Sequence, residues 1–322
     1  MTAFKVVVTA RSFGEGSEEP LALLHQAGCE VVRSGLDRPL SAQELAGLIK
    51  GADALITGND RVDASVIAGA ARLKVISRYG VGLDNIDLQA AAERGIVVTN
   101  TPGANDQSVA DLVMTFVLAC ARRLMDAAGQ VRSGRWQRVL GSEVWRKTLG
   151  IIGTGRIGRC VAQRARGFQM RILCFDAVPD PGWADANEAT YTSFDALLAA
   201  SDFVTLHVPL NKQTRGLIGA RELRLMKPSA YLINTARGGI VDEQALHEAL
   251  ISGTIAGAAL DVLEHEPAMD SPLCGLPNVL ITAHTGGYTR EAVRRMSMMA
   301  AQNTIDVLTR TTGETGKKGG CQ

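Results

Sequence analysis

The stretch Lys147 to Asp176, KTLGIIGTGRIGRCVAQRARGFQMRILCFD, reads as strand, tight glycine turn, helix and strand. Leu149 to Ile152 is a short apolar run rich in β-branched residues that stops at Gly153, as a buried parallel strand does. Gly153, Gly155 and Gly158 follow at G-x-G-x-x-G spacing. The first glycine permits a sharp turn, the second lets backbone approach a pyrophosphate, and the third lets helix and strand pack closely. Ile157, Val161, Ala165 and Phe168 give the helix one apolar face, and its amino end offers unpaired N–H groups to an anion. The second strand, Ile172 to Phe175, delivers Asp176 roughly twenty residues beyond the glycines, where a carboxylate accepts from a ribose 2′-hydroxyl. A lone glycine fingerprint is weak. Here the preceding strand, the following helix and the distal acid are separate requirements met together, which points to a dinucleotide. Ala177 and Val178 follow Asp176, with no arginine to hold a 2′-phosphate, so the expected cofactor is NAD rather than NADP.

Working outward, the 322 residues suffice for two domains of ordinary size. With 34 basic against 33 acidic side chains and a net charge of +1, the chain has no field built for nucleic acid or an anionic membrane. Anion recognition must be local. The six cysteines, at 29, 120, 160, 174, 274 and 321, form no C-x-x-C pair and read as reduced residues of a cytoplasmic protein, with no metal site. The amino terminus fits a first strand better than a secretion signal, and the most apolar window, Val109 to Cys120, contains Asp111 and is too short to span a bilayer.

Before the fingerprint, strands are expected at Lys5 to Ala10, Val31 to Arg33, Ala54 to Thr57, Lys74 to Ser77 and Ile96 to Thr99. Helices alternate with them, one opened by a capping box of Ser41 and Glu44. That alternation predicts a small α/β domain with a parallel sheet. Arg78 to Asn85, RYGVGLDN, puts two glycines just past a strand end, where exposed amides can hold a carboxylate. Thr101-Pro102-Gly103 marks a crossover, and a long helix apolar on two faces is expected from Asp106 to about Leu124, followed by an irregular Ser133 to Arg146. Beyond Asp176 come strands at Phe203 to Val208, Tyr231 to Asn234, Ala256 to Asp261 and Val279 to Ala283, which with the first two predict a doubly wound sheet of about six strands. Glu291 to Leu308 reads as a last helix, and the glycine-rich 311–322 as a disordered tail.

Several strand ends then bring polar groups to one edge of the sheet. Arg237 lies in NTARGG, where two glycines leave room for a ligand beside a guanidinium suited to a carboxylate. His284 ends the strand LITAH and carries a group suited to moving protons both ways. His207, at another strand end, is a candidate cofactor contact, whereas His25, His247 and His265 are expected to be structural or solvated. In DVLEHEP, Asp261 can hold a nicotinamide amide, and either Glu264 or Glu266 can partner the imidazole; periodicity does not choose between them.

TPGANDQSVAD, KTLGIIGTGRIG, NTARGGIVDEQAL, GAALDVLEHEP and ITAHTGG together resemble the successive signatures of the D-isomer-specific 2-hydroxyacid dehydrogenases, which include D-3-phosphoglycerate dehydrogenases. The resemblance runs from Lys5 to Leu308. It implies two Rossmann-like domains of α/β class, an NAD-binding doubly wound parallel sheet over 101–285 inserted into a smaller flavodoxin-like substrate domain built from 1–100 and 286–310. It implies catalysis by Arg237, Glu266 and His284, which favours Glu266 over Glu264, and cofactor contacts at Val81, Arg156, Ile157, Asp176 and Asp261, beside Gly153, Gly155, Gly158 and His207 read from the residues themselves. It places the substrate carboxylate, which the Arg237 guanidinium is suited to bind, near Val81 and Gly82, and implies a homodimer joined through the Asp106 helix and the loop after it. Phosphoglycerate-specific members can carry an arginine in the loop after the strand matching Ala54 to Thr57; here that loop is TGNDR, with Arg61 displaced.

The expected function is reversible hydride transfer between NAD and C2 of a small D-2-hydroxy acid, in a cleft between two domains, with 3-phosphoglycerate, glyoxylate and hydroxypyruvate as the candidate substrates. A reading from another class is an NAD(H)-sensing scaffold resembling the C-terminal binding protein corepressors. The intact arginine, glutamate and histidine set favours the enzyme.

Overall fold

A computed structural model describes residues 4–36 and 38–315. The chain divides into two compact units, 1–105 with 287–322, and 106–286. In the first, strands β1 (Phe4–Val8), β2 (Cys29–Arg33), β3 (Ala54–Thr57), β4 (Val75–Arg78) and β5 (Val97–Thr99) pair in the order β2-β1-β3-β4-β5. Every pairing is parallel. Helices α1 (Glu19–Gln26), α2 (Ala42–Leu48), α3 (Ala64–Ala68) and α4 (Leu88–Glu93) connect them. The Ser41 and Glu44 capping box forms, and Asp63 and Asp87 cap the next two helices through their carboxylates. Helix α4 was not expected; its LQAAAE lacks an apolar period long enough to announce a helix.

The second unit begins with α5 (Asp106–Ala121) and α6 (Leu124–Arg132). The helix expected to about Leu124 ends at Ala121, Arg123 takes a left-handed φ of 47°, and α6, which was not expected, follows. Then follow β6 (Thr148–Ile152), α7 (Arg156–Arg166), β7 (Arg171–Phe175), α8 (Pro181–Ala186), β8 (Ala189–Tyr191), α9 (Phe194–Ala200) and β9 (Phe203–Leu206). After them come α10 (Ala220–Leu225), β10 (Tyr231–Asn234), α11 (Glu243–Ile251), β11 (Gly257–Leu260) and β12 (Val279–Ile281). The sheet has seven strands, not about six, in the order β12-β11-β10-β9-β6-β7-β8. The addition, β8, is a three-residue edge strand, too short to show a period of two.

The seven-stranded order reverses between β6 and β9, the topological switch point at whose carboxyl edge open parallel sheets bind ligands. Its two faces are covered separately. Ile151, Cys174, Phe203 and Ile233 pack beneath α5 and α7, whereas Ile152, Val204, Leu206 and Leu232 face α9 to α11. Burial pushes the thiols of Cys120 and Cys174 up to about 12, and the five described cysteines are free; Cys321 lies outside the described residues.

Helix α12 (Arg290–Thr315) closes the first unit. Its Ala292, Met296, Ala300 and Ala301 are buried with Val6, Val8, Ile56 and Val75. Ser77 donates to the carbonyl of Ala300 at 3.1 Å, and Asn303 to that of Asn100 at 2.9 Å. The helix continues to Thr315, past the point where the tail was expected to begin; the remainder of that expected tail, 316–322, lies outside the described residues. No helix among the described residues is long and apolar enough to cross a membrane.

Gly150 sits inside β6 because a Cβ there would lie 2.4 Å from Ser201 Oγ and 2.5 Å from Leu197 Cδ2. Gly150→Ala should therefore destabilise the protein by about 1–3 kcal/mol and lower its Tm by roughly 2–10 °C, measured by calorimetry. An unchanged Tm would mean that α9 does not press on this strand.

Candidate active site

At the end of β6 the chain turns through Gly153, with φ of 97° and so little room that a Cβ would lie 2.6 Å from the His207 carbonyl oxygen. A Cβ on Gly158 would lie 2.1 Å from Gly153 O, so α7 packs backbone against the turn. Gly155, by contrast, faces open space within 4 Å and caps α7 without any side-chain bond. The amides of Arg156 and Ile157 consequently point from the helix end with no protein acceptor among the described residues. The guanidinium of Arg156 is committed elsewhere, its Nε donating to Asp106 Oδ2 at 2.7 Å.

Asp176 emerges from β7 with Oδ2 accepting from Thr154 N at 2.6 Å and Oδ1 from Val178 N at 2.9 Å. Partial burial pulls its pKa upward, but the bonds from Val178, Thr154 and Ala177 outweigh it, and the net shift is downward. The acid is thus ionised and oriented, with Oδ2 accepting from both the amide and the hydroxyl of Thr154, at the strand end where a ribose hydroxyl is expected. Open space at Gly155, free amides and a fixed carboxylate fit a dinucleotide.

The opposite half of the sheet carries the other candidates. Asn234, ending β10, organises the next loop: its Nδ2 donates to Arg237 O at 2.8 Å and its Oδ1 accepts from Ala236 N at 3.0 Å. The glycine after Arg237 does not make room for a ligand. A Cβ on Gly238 would lie 2.1 Å from Leu263 O, so the space is taken by the backbone of the loop after β11. That contact holds the arginine loop against the segment bearing Glu266.

His284 follows β12 in a left-handed conformation, φ 54°, that a non-glycine residue adopts only when its surroundings impose it. Asp261 is buried at 2 % exposure and supplies the constraint. Its Oδ1 accepts from Thr282 Oγ1 at 2.5 Å, Thr285 N at 2.7 Å and Thr285 Oγ1 at 3.2 Å, its Oδ2 from Gly286 N at 2.7 Å, and its carbonyl from His284 N at 2.9 Å. The side chain expected to reach a nicotinamide is thus mainly an anchor for the histidine loop, a role with no local sequence signal because donors and acceptor lie on different strands.

Held this way, His284 puts Nδ1 2.8 Å from Glu266 Oε2, and Leu263 N lies 3.3 Å from the other oxygen of that carboxylate. Glu264 instead pairs with Arg215 at 3.1 Å, so geometry separates the two acids that periodicity could not. With Nδ1 occupied, Nε2 is the nitrogen left for a substrate. Arg237, Glu266 and His284 follow the adjacent strands β10, β11 and β12 at one edge, where neighbouring strands lie about 5 Å apart.

His207 Nε2 is 3.0 Å from Thr205 Oγ1. The residue keeps some accessible surface, yet desolvation of its ring pushes the pKa down to about 3. Of the histidines set aside, His25 and His265 are exposed and His247 is partly buried on α11.

In the first unit, Val81 and Gly82 lie beyond β4, and the loop after β3 holds Asn59, Asp60 and Arg61. Asp60 is buried and accepts from Thr9 Oγ1 and Leu40 N. Arg61 is 82 % exposed in its side chain and faces Asp63 at 3.7 Å.

Comparison with known proteins gives a consistent result. Residues 114–286 match the family model described as "D-isomer specific 2-hydroxyacid dehydrogenase, NAD binding domain". A glyoxylate reductase of Thermococcus litoralis is 46% identical over 267 residues, 80% of this chain and 81% of that protein. A D-3-phosphoglycerate dehydrogenase of Archaeoglobus fulgidus is 42% identical over 296 residues, 90% of this chain but 55% of the relative. The solved structure of Aquifex aeolicus D-lactate dehydrogenase complexed with NAD and lactic acid superposes with a TM-score of 0.81 at 31% identity, covering 96% of each chain.

Because the His207 pKa is lowered below its unfolded value near 6.5, the unfolded chain binds that proton first, so this residue subtracts stability progressively as pH falls below about 6.5. In a histidine NMR titration its ring signals should remain those of neutral imidazole from pH 8 to below 5. A midpoint near 6.5 would contradict the desolvation described here.

Proposed function

Because the chain belongs to the D-isomer-specific 2-hydroxyacid dehydrogenases, NAD-dependent oxidoreductases acting on a CH–OH group, we propose that it reduces glyoxylate, or an oxo acid of similar size, with NADH. The observation that carries the chemistry is the 2.8 Å contact between His284 Nδ1 and Glu266 Oε2. It leaves Nε2 to donate a proton to the C2 oxygen, while the carboxylate stabilises the imidazolium from behind. Arg237 pairs with the substrate carboxylate through its planar fork and polarises the C2 oxygen. The amides of Val81 and Gly82 bind that carboxylate as well, and Val81 borders the cofactor. Bound NADH supplies the hydride that C2 accepts.

On the cofactor side, the amides of Arg156 and Ile157 take the pyrophosphate over Gly153, Gly155 and Gly158, and Asp176 takes the adenosine ribose. His207 contributes a neutral ring. Asp261 retains acceptor capacity on Oδ2, which has one donor, for the nicotinamide amide.

Two features favour a small, unphosphorylated acid. The glyoxylate reductase relative is 46% identical to this chain, against 42% for the phosphoglycerate dehydrogenase relative. Arg61, the displaced arginine, is turned to Asp63 and solvent rather than offered to a phosphate.

A homodimer is part of the reading. Leu124, Met125 and Val131 on α6 are half exposed, and Trp136 and Leu140 in the following loop are 93% and 89% exposed. An apolar run this open on a monomer marks an association surface. Light scattering should give the mass of two chains, and Trp136→Asp with Leu140→Asp should shift it toward one. A wild-type monomer would remove the dimer.

The activity is tested with NADH and a panel of glyoxylate, hydroxypyruvate, pyruvate and phosphohydroxypyruvate. The expected result is the highest kcat/KM for glyoxylate and the lowest for the phosphorylated acid; the reverse order would overturn the substrate assignment. His284→Ala should lower kcat by about 10²- to 10⁴-fold with NADH affinity retained. NADH binding with no turnover of any 2-oxo acid by the unaltered chain would favour the scaffold reading.

A further inference from the structure

Arg78 ends β4 and is 5 % exposed, an unusual position for a guanidinium unless its donors are engaged. They are engaged by the loop it introduces. Nε donates to Gly82 O at 3.1 Å, Nη1 to the carbonyl of Tyr79, and Nη2 to Asn59 Oδ1 at 3.0 Å. One planar group therefore grips both ends of the segment from Tyr79 to Gly82 and ties it to the loop after β3. Gly80 fits over it with φ of 138°; a Cβ there would lie 2.8 Å from Nη1.

The middle of the segment is tied separately. Thr101 donates to Gly80 O through its amide at 2.9 Å and its hydroxyl at 3.2 Å, and Asn100 Nδ2 donates to Val81 O at 2.8 Å. In a trans peptide the carbonyl and the next amide point in opposite directions. Securing the carbonyls of Gly80 and Val81 on one side turns the N–H groups of Val81 and Gly82 to the other. Among the described residues those two amides donate to no protein acceptor. Successive free amides of this kind form a concavity for an anion.

We propose that Arg78 is a positioning residue for the substrate carboxylate: it fixes the Tyr79–Gly82 backbone so that two consecutive amides face the acid, and it holds a permanent positive charge behind them. The proposal rests on the oxo-acid reductase reading and adds to it a group that does not touch the substrate. It also gives Asn59 a function. The residue after Gly58 accepts from the guanidinium, so this loop acts on the substrate through backbone geometry rather than by offering a cation.

The test uses the full chain with Arg78→Met and Arg78→Lys. It measures KM and kcat for glyoxylate, inhibition by oxalate as a carboxylate probe, NADH affinity by fluorescence, and Tm. Arg78→Met should raise KM and weaken oxalate by at least about tenfold, with NADH affinity within about twofold of the unaltered protein. Lysine keeps the charge but cannot grip both carbonyls, so Arg78→Lys should fall between the two. If the methionine variant does not fold, Arg78→Lys and Asn59→Ala, which removes one acceptor of the guanidinium, carry the same reading. A folded variant at position 78 with unchanged KM and oxalate inhibition but a lower Tm would overturn the positioning role and leave the reductase intact. Absence of turnover by the unaltered chain would overturn both.

Discussion

The buried carboxylate of Asp261 is the constraint on which the proposed catalytic pair depends. A carboxylate at 2 % exposure is tolerable only when it is well hydrogen-bonded, and four donors from Thr282, Thr285 and Gly286 meet it, three on Oδ1 and one on Oδ2. The same bonds leave the backbone of His284 little freedom, which is why that residue sits at a φ of 54°. In that conformation its ring meets Glu266 at 2.8 Å. Stability and reactivity are joined at this point: the group that is costly to bury is also the group that orients the imidazole.

The parallel sheet makes such an arrangement economical. Every strand of the second unit ends at the same edge, so the loops after β6, β7, β9, β10, β11 and β12 converge without long connections. A net charge of +1 provides no general attraction for anions. In the proposed reading, recognition is local instead, by helix amides at Arg156 and Ile157 in one unit and by loop amides at Val81 and Gly82 in the other. In both amide sites the carbonyls or the helix geometry dispose the N–H groups outward, and glycine provides the space.

Much of this was legible in the sequence where a local rule applies. The glycine spacing, the Ser41 capping box and the strand-ending Asp176 each reflect chemistry among residues close in the chain, and each appears as expected. Elements with too few residues to show a period were not legible: α4, α8 and the edge strand β8. Helix α6 was hidden too, since no proline, glycine or side-chain cap marks its start after the left-handed Arg123. At Gly238 the inference failed for a different reason. A glycine signals close approach, but its position does not say whether a ligand or another segment of chain approaches, and here it is the backbone of Leu263 and Glu264.

The amino-acid sequence by itself determined the alternation of strands and helices, the glycine turn that is the candidate dinucleotide site, the preference for NAD and the candidate residues for chemistry, because these follow from periodicity and from short-range motifs. The family resemblance favoured Glu266, but only tertiary structure showed that acid meeting the histidine, what Asp261 holds and where the donors of Arg78 go. Those contacts join residues 18, 25 and 19 positions apart through strand order and loop packing, and no local pattern encodes a distance across a sheet.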